Sequence, residues 1–145
     1  MNIKFIAIIP LLLISSTTRA DDVQQTFNEV KCLTQNIYHE ARDQSYEGKI
    51  AVAQVTLNRV RSGLFPDSIC KVVYQPNQFS WTRYKPKILE KDKYFEIYEL
   101  AFDQYLNYTD NDDSVYYHTL YVKPSWSKSK KKTKIVGRHI FYKEK

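Results

Sequence analysis

The hydrophobic spacing of this chain changes period once, and that change restricts the fold more than composition does. From about residue 27 to about residue 107, apolar side chains recur every three to four positions, as on the buried face of a helix. Val30, Leu33, Ile37 and Ala41 predict a first helix over about 27–42, and Thr26 with Glu29 three residues on has the form of its capping box. After the polar turn DQS, a second helix is expected with Ile50, Ala53, Leu57 and Val60 on one face, ending near Gly63 ahead of Pro66. PDSICKVV predicts a short third helix, and residues 87–107 a long fourth with Phe95, Tyr98, Phe102 and Tyr105 along its stripe. Beyond residue 114 the pattern alternates. SVYYHTLYV sets Val115, Tyr117, Thr119 and Tyr121 against Tyr116, His118, Leu120 and Val122, and KIVGRHIFYK alternates around Gly137, so both are expected as strands. Helices first and a small antiparallel sheet later predict an α+β domain.

Residues 1–20 follow neither period. Lys4 supplies a basic start, FIAIIPLLLI an apolar run of about ten residues, and SSTTRA a close on a small residue at Ala20. This is the form of a secretory signal peptide, too short to span a membrane as a helix; the alternative is an uncleaved segment that tethers the protein to a membrane. The expected organisation is a signal peptide over 1–20 and a single domain over 21–145, exported to the periplasm, cell wall or medium, and monomeric. Losing Lys4 and Arg19 with the signal takes the formal charge from +6 to +4. KPSWSKSKKKTK, residues 123–134, is the one basic run. It is either a solvated loop or a contact with anionic surfaces such as envelopes, nucleic acid or acidic glycans. In an exported chain the two cysteines, Cys32 and Cys70, are expected to pair, closing a loop that contributes roughly 4 kcal/mol.

Glu40, in NIYHEARD, falls three residues after Ile37 and seven after Leu33, so it borders the buried stripe of the first helix. A carboxyl group there loses solvation, which disfavours its charged form and suits it to donate a proton near neutral pH. Glutamates beside apolar stripes are common, and most are solvated or paired with an arginine such as Arg42 or Arg59. The adjacent His39 also raises a metal reading. A zincin helix needs a second histidine four residues on, and that position is Asp43. His39, His118 and His139 are the only histidines and remain a conceivable ligand set from separate elements. No nucleophilic Ser or Cys motif is evident, and the three glycines, Gly48, Gly63 and Gly137, build no phosphate loop. No cofactor is expected.

The run IYHEARDQSYEGKIAVAQVTLNRVRSGLFPDSICKVVYQPNQFSW, residues 37–81, resembles the core of the SleB-type cell-wall hydrolases, the family of the spore cortex-lytic enzymes. The shared pattern is a Y-x-E-A-R helix, an E-G-x-x-A-V-A-x-V-x-L-N-R helix, P-x-x-I-x-x-V-V and Q-F. YYHTLYVKPSW and IVGRHIFYK resemble the family's closing tyrosine-rich strand, P-x-W turn and I-G-x-H-x-F-Y strand, so the likeness covers nearly all of residues 21–145. It implies a lysozyme-like, lytic-transglycosylase-like α+β fold, a glycan cleft, and a catalytic glutamate at the E-A-R motif, here Glu40. Gln78, Phe79, Trp81, Tyr117, His118, Trp126 and His139 are candidates for binding substrate, since aromatics cover sugar faces and Gln or His can bond hydroxyl and acetamido groups. Core packing is the competing role for Phe79, Tyr117 and His139. Asn58 and Arg59 are expected to tie the helices together.

The implied chemistry is cleavage of the β-1,4 bond between N-acetylmuramic acid and N-acetylglucosamine, with peptidoglycan strands rather than nucleic acid as partner. Hydrolysis usually wants a second carboxylate. Asp43 and Glu47 are the nearest in sequence, but Glu47 opens the second helix, where it already complements the helix dipole. With Glu40 alone, the expected route is that of a lytic transglycosylase. The alternatives are an N-acetylmuramoyl-L-alanine amidase, which normally needs zinc, and a non-catalytic glycan-binding protein.

Overall fold

The computed structural model describes residues 17–109 and 112–145; the apolar part of the expected signal peptide lies outside them. Among the described residues, five helices precede a small sheet: α1 (Thr17–Ala41), α2 (Tyr46–Ser62), α3 (Ile69–Val73), α4 (Trp81–Tyr84) and α5 (Lys91–Asn107), then β1 (Tyr116–Thr119), a 3-10 turn (Ser125–Ser129), β2 (Lys131–Val136) and β3 (His139–Lys143). The α+β class expected from the change of period is the one observed. No helix among the described residues is long and apolar enough to cross a membrane.

The organising element is α2. Every residue from 51 to 59 is buried, because α1, α3, α5 and β2 pack around it. Its ends are set locally. Ser45 Oγ accepts from the Gly48 amide at 3.2 Å, and Gly63 at φ 69° terminates the helix in the left-handed region that glycine tolerates best.

Two expectations about α1 are corrected. The helix begins at Thr17 instead of near residue 27, because its N-terminal sequence is mostly polar, exposed from Arg19 through Gln25, and carries no apolar period to read. Thr26 and Glu29 therefore lie inside the helix and form no capping box. Glu29 caps a different one: its Oε2 accepts from the amides of Ile69 and Cys70, at 2.5 and 3.2 Å, at the start of α3. The expected disulfide joins the same two helices, Cys32 to Cys70, with Cα atoms 5.2 Å apart.

The stripe of α5 is also corrected. Ile97, Leu100 and Ala101 are buried, while Phe95 and Phe102 are 65% and 38% exposed; Tyr98 and Tyr105 only flank the core. The helix starts at Lys91 instead of 87, after a single-turn helix and an irregular stretch containing Pro86, and the Glu90 amide donates to the buried Tyr38 hydroxyl at 3.2 Å.

The strands run antiparallel in the order β1-β3-β2. Register places Tyr117 opposite Phe141 and Thr119 opposite His139 on the face toward the helices, and Tyr116 opposite Tyr142 on the outer face. Trp126 covers that outer face, with ring centroids 5.5–5.6 Å from Tyr142, Tyr116 and His118. Gly137, at φ 55°, turns β2 into β3 against Gln44, whose Oε1 accepts from the Arg138 amide at 3.1 Å. A Cβ on Gly137 would meet that oxygen at 2.6 Å, a contact the flexible Gln44 side chain can relieve by shifting, so it is the positive φ that favours glycine here. Asn58 ties α2 to α5 as expected, its Oδ1 accepting from the hydroxyl of Tyr108, the C-cap of α5; Arg59 does not tie helix to helix. Asn58 Nδ2 donates to the Ser114 carbonyl at 2.9 Å and Arg59 Nε to the Val115 carbonyl at 2.7 Å, which fastens α2 to the segment entering β1.

Candidate active site

Glu40 is the penultimate residue of α1 and is half-buried at the seam between helices and sheet. Its Oε2 accepts from the Tyr117 hydroxyl of β1 at 3.2 Å. Tyr117 is steadied in turn by His139 and Phe141 of β3, at ring-centroid distances of 5.2 and 5.7 Å. Burial raises the Glu40 pKa above the usual glutamate value; the Tyr117 hydrogen bond and the charge of Arg59 oppose this and are outweighed. Burial, and then the Glu40 charge, push the Tyr117 hydroxyl well above its usual value, so it remains a donor at neutral pH.

The other carboxylates near Glu40 in sequence are engaged elsewhere. Asp43 is exposed and pairs with Lys93 at 3.3 Å. Glu47 is exposed in the first turn of α2, where its own backbone amide and the Ser45 hydroxyl hold its carboxyl below the ordinary value. Glu90 pairs with Arg42 at 3.2 Å and Lys93 at 2.7 Å. Seven residues along the chain, two glutamates are thus driven in opposite directions.

A groove of about 470 Å³ runs beside the β1 edge, lined by Arg59, Asn77, Gln78, Tyr116, Tyr117, Trp126 and Lys130. It brings together three of the expected binding residues, Gln78, Trp126 and Tyr117, the last of which is Glu40's partner; Glu40 itself does not line it. Trp81 lines a separate depression of about 480 Å³ with His39, Arg42 and Leu89; its indole stacks on His39 at 4.5 Å and donates to Asn36 Oδ1 at 3.4 Å. Phe79, 4% exposed, packs in the core beneath the Arg59 guanidinium. His118 has both ring nitrogens engaged, with the Thr119 carbonyl at 2.8 Å and the Tyr142 hydroxyl at 2.9 Å. His139 is buried behind Tyr117 with Nδ1 unpartnered, and burial lowers its pKa.

Tyr116, Asn77, Lys130 and Arg59 are groove residues that the sequence reading did not select. Alternation sets Tyr116 and Tyr117 on opposite faces, but β1 is an edge strand and a groove along its edge takes side chains from both. Lys130 lies 4.6 Å from the Tyr116 ring centroid and pairs with Glu144 at 2.7 Å, a contact across 14 residues that no local pattern reveals. The three histidines do not converge: His39 stacks on Trp81, His118 lies on the outer face of the sheet and His139 on the inner. Among the described residues, no three His, Cys, Asp or Glu side chains gather into a ligand set.

Residues 43–142 match the family model described as Cell Wall Hydrolase. The chain belongs to the cell wall hydrolase family. Within it, this hydrolase is of the SleB type. It is 31% identical over 119 residues to the spore cortex-lytic enzyme of Bacillus subtilis (strain 168), covering 79% of this chain and 37% of that one. To the spore cortex-lytic enzyme of Oceanobacillus iheyensis it is 32% identical over 117 residues, covering 80% and 42%. The chain thus spans about two-fifths of the length of these curated relatives. Among solved structures, it is similar to the catalytic domain of the germination-specific lytic transglycosylase SleB from Bacillus anthracis, with a TM-score of 0.65 and 27% identity over 80% of this chain and 94% of that one. The catalytic domain of the Bacillus cereus SleB protein gives the same TM-score and identity, over 81% and 91%. Glu40 lies three residues before the segment that the family model matches.

Proposed function

We propose that this cell wall hydrolase cleaves the β-1,4 bond between N-acetylmuramic acid and N-acetylglucosamine in peptidoglycan, as a monomeric lytic transglycosylase with Glu40 as both acid and base. The observation that carries this is the isolation of Glu40: a carboxyl raised by burial, bonded by Tyr117, with the neighbouring carboxylates turned to other partners. An inverting or retaining hydrolase needs a second carboxylate at the reacting carbon. One carboxyl suffices when the substrate supplies the nucleophile.

In the first half, protonated Glu40 gives its proton to the leaving oxygen of N-acetylglucosamine as the glycosidic bond breaks and the muramic ring becomes oxocarbenium-like. In the second, the ionised carboxylate takes the proton of the muramic 6-hydroxyl while that oxygen bonds to the anomeric carbon. Glu40 ends protonated and no water is consumed. Tyr117 orients the carboxyl through both halves. Trp126 and Tyr116 offer rings to the apolar faces of sugars, and Gln78 and Asn77 offer amides to hydroxyl and acetamido groups. The relationship to a SleB catalytic domain that is a lytic transglycosylase favours the same reading. We take residues 1–20 as an export signal and 21–145 as the catalytic domain; the Cys32–Cys70 disulfide suits an oxidising compartment outside the cytoplasm.

Mass spectrometry of digested, purified peptidoglycan tests the proposal. The expected products end in 1,6-anhydro-N-acetylmuramic acid, one water lighter than ordinary ends and inert to borohydride. Reducible muramic ends would mean hydrolysis, free L-alanine amino termini on intact glycan would mean an amidase, and binding without release would mean a non-catalytic protein.

A further inference from the structure

Arg59 carries a charge that its structural bond does not explain. The side chain is 5% exposed at the centre of the molecule, on α2. Its Nε bonds the Val115 carbonyl at 2.7 Å, a task that a neutral donor would perform as well, and its Nη1 is buried without a partner. None of the ion pairs among the described residues includes it. A buried guanidinium without a carboxylate partner is costly and rarely retained without a use. It also packs against two aromatic rings, Phe65 and Phe79, with centroids 5.0 and 5.5 Å from Cζ. The same side chain lines the groove beside Tyr117, the residue bonded to Glu40.

We infer that Arg59 is the fixed counter-charge of the reaction, holding the Glu40 carboxylate in its ionised form between proton donation and proton return. The inference rests on the glycosidase reading above. Once Glu40 has given up its proton, a negative charge remains where water cannot surround it, and Tyr117 supplies one hydrogen bond but no charge. The other groups around this carboxyl do not serve. On α1, Arg42 pairs with Glu90, and burial and Arg42 both keep His39 toward its neutral form. From β3, His139 lies behind Tyr117 and burial keeps it neutral. Arg59 touches no reacting atom in this scheme; it is a positioning residue acting through Glu40.

Two measurements test this. In the wild-type protein, the side-chain NMR signals of Arg59 should shift with pH at the midpoint of the Glu40 carboxyl, and that shift should vanish in Glu40→Gln. The same shift persisting in Glu40→Gln would overturn the inference, and this arm holds even if Arg59 variants fold poorly. In Arg59→Met, kcat should fall about tenfold or more. The alkaline limb of the pH–rate profile should move upward, because the carboxylate forms less readily without its counter-charge, and Arg59→Lys should restore both. An unmoved limb in folded Arg59→Met would equally overturn it. Coupling seen by NMR without glycan cleavage would refute the glycosidase reading alone and support the counter-charge.

Discussion

The helices and the sheet of this protein are held by different kinds of force. Val30, Leu33, Ile37, Val52, Val55 and Ile97 give the helical half a continuous apolar core, reinforced by the Cys32–Cys70 disulfide. The sheet adds Phe141 to that core, but its position against α2 and the α1–α2 turn is set by directional bonds: Asn58 to Ser114, Arg59 to Val115 and the Arg138 amide to Gln44. Apolar packing tolerates small shifts and hydrogen bonds do not. The candidate site takes Glu40 from the first half and Tyr117 from the second, so its geometry depends on the seam, whereas global stability depends mostly on the helices.

The sharpest way to separate the halves is to remove the chemistry and keep the fold. Glu40→Gln is expected to lower activity by about 10²- to 10⁴-fold, with circular dichroism and glycan binding retained; wild-type turnover would take Glu40 out of the mechanism. Replacing both cysteines by serine strikes the helical half alone. It should cost about 4 kcal/mol in urea unfolding on the chain-entropy estimate while turnover per folded molecule is unchanged. A large loss of turnover in that folded variant would mean that helices and seam are not separable. Asn58→Ala removes the donor to the Ser114 carbonyl and the acceptor for the Tyr108 hydroxyl and should cost about 1–3 kcal/mol. Its specific activity should fall as well, since the entry to β1 is no longer fixed. Tyr117→Phe is expected to cost about 1 kcal/mol or less in stability. The hydroxyl holds the Glu40 pKa down, so its loss raises that pKa further and moves the alkaline limb of the pH–rate profile upward; an unmoved limb would deny the contact a role.

How far the sequence reveals this arrangement differs between the halves. Period alone locates α2, α3 and β1, because caps such as Ser45 and Gly63 act within a few residues; KIVGRHIFYK, expected as one strand, is the hairpin of β2 and β3 turned at Gly137. Period misplaces what long-range contacts decide. Glu29 has the spacing of a capping box and instead caps a helix 40 residues away. On α5, counting aromatic bulk selects Phe95 and Phe102, whereas Ile97, Leu100 and the small Ala101 fix which face approaches α1. At the site, Glu40 is legible as an acid at the edge of a stripe, but its partner on β1 is 77 residues distant and emerges only when the sheet docks. Arg59 is harder still, because a buried arginine reads as structural until its missing partner is seen.

The most direct test is to titrate Glu40 and Glu47 in one sample by carboxyl-carbon NMR of the intact protein. They are the same side chain placed on opposite sides of the α1–α2 turn, one half-buried at the seam and one exposed at a helix start. The expected result is a Glu40 midpoint above the ordinary glutamate value of about 4.3 and a Glu47 midpoint below it. A Glu40 midpoint at or below the ordinary value would contradict the claim that this fold holds a single carboxyl ready to act as an acid.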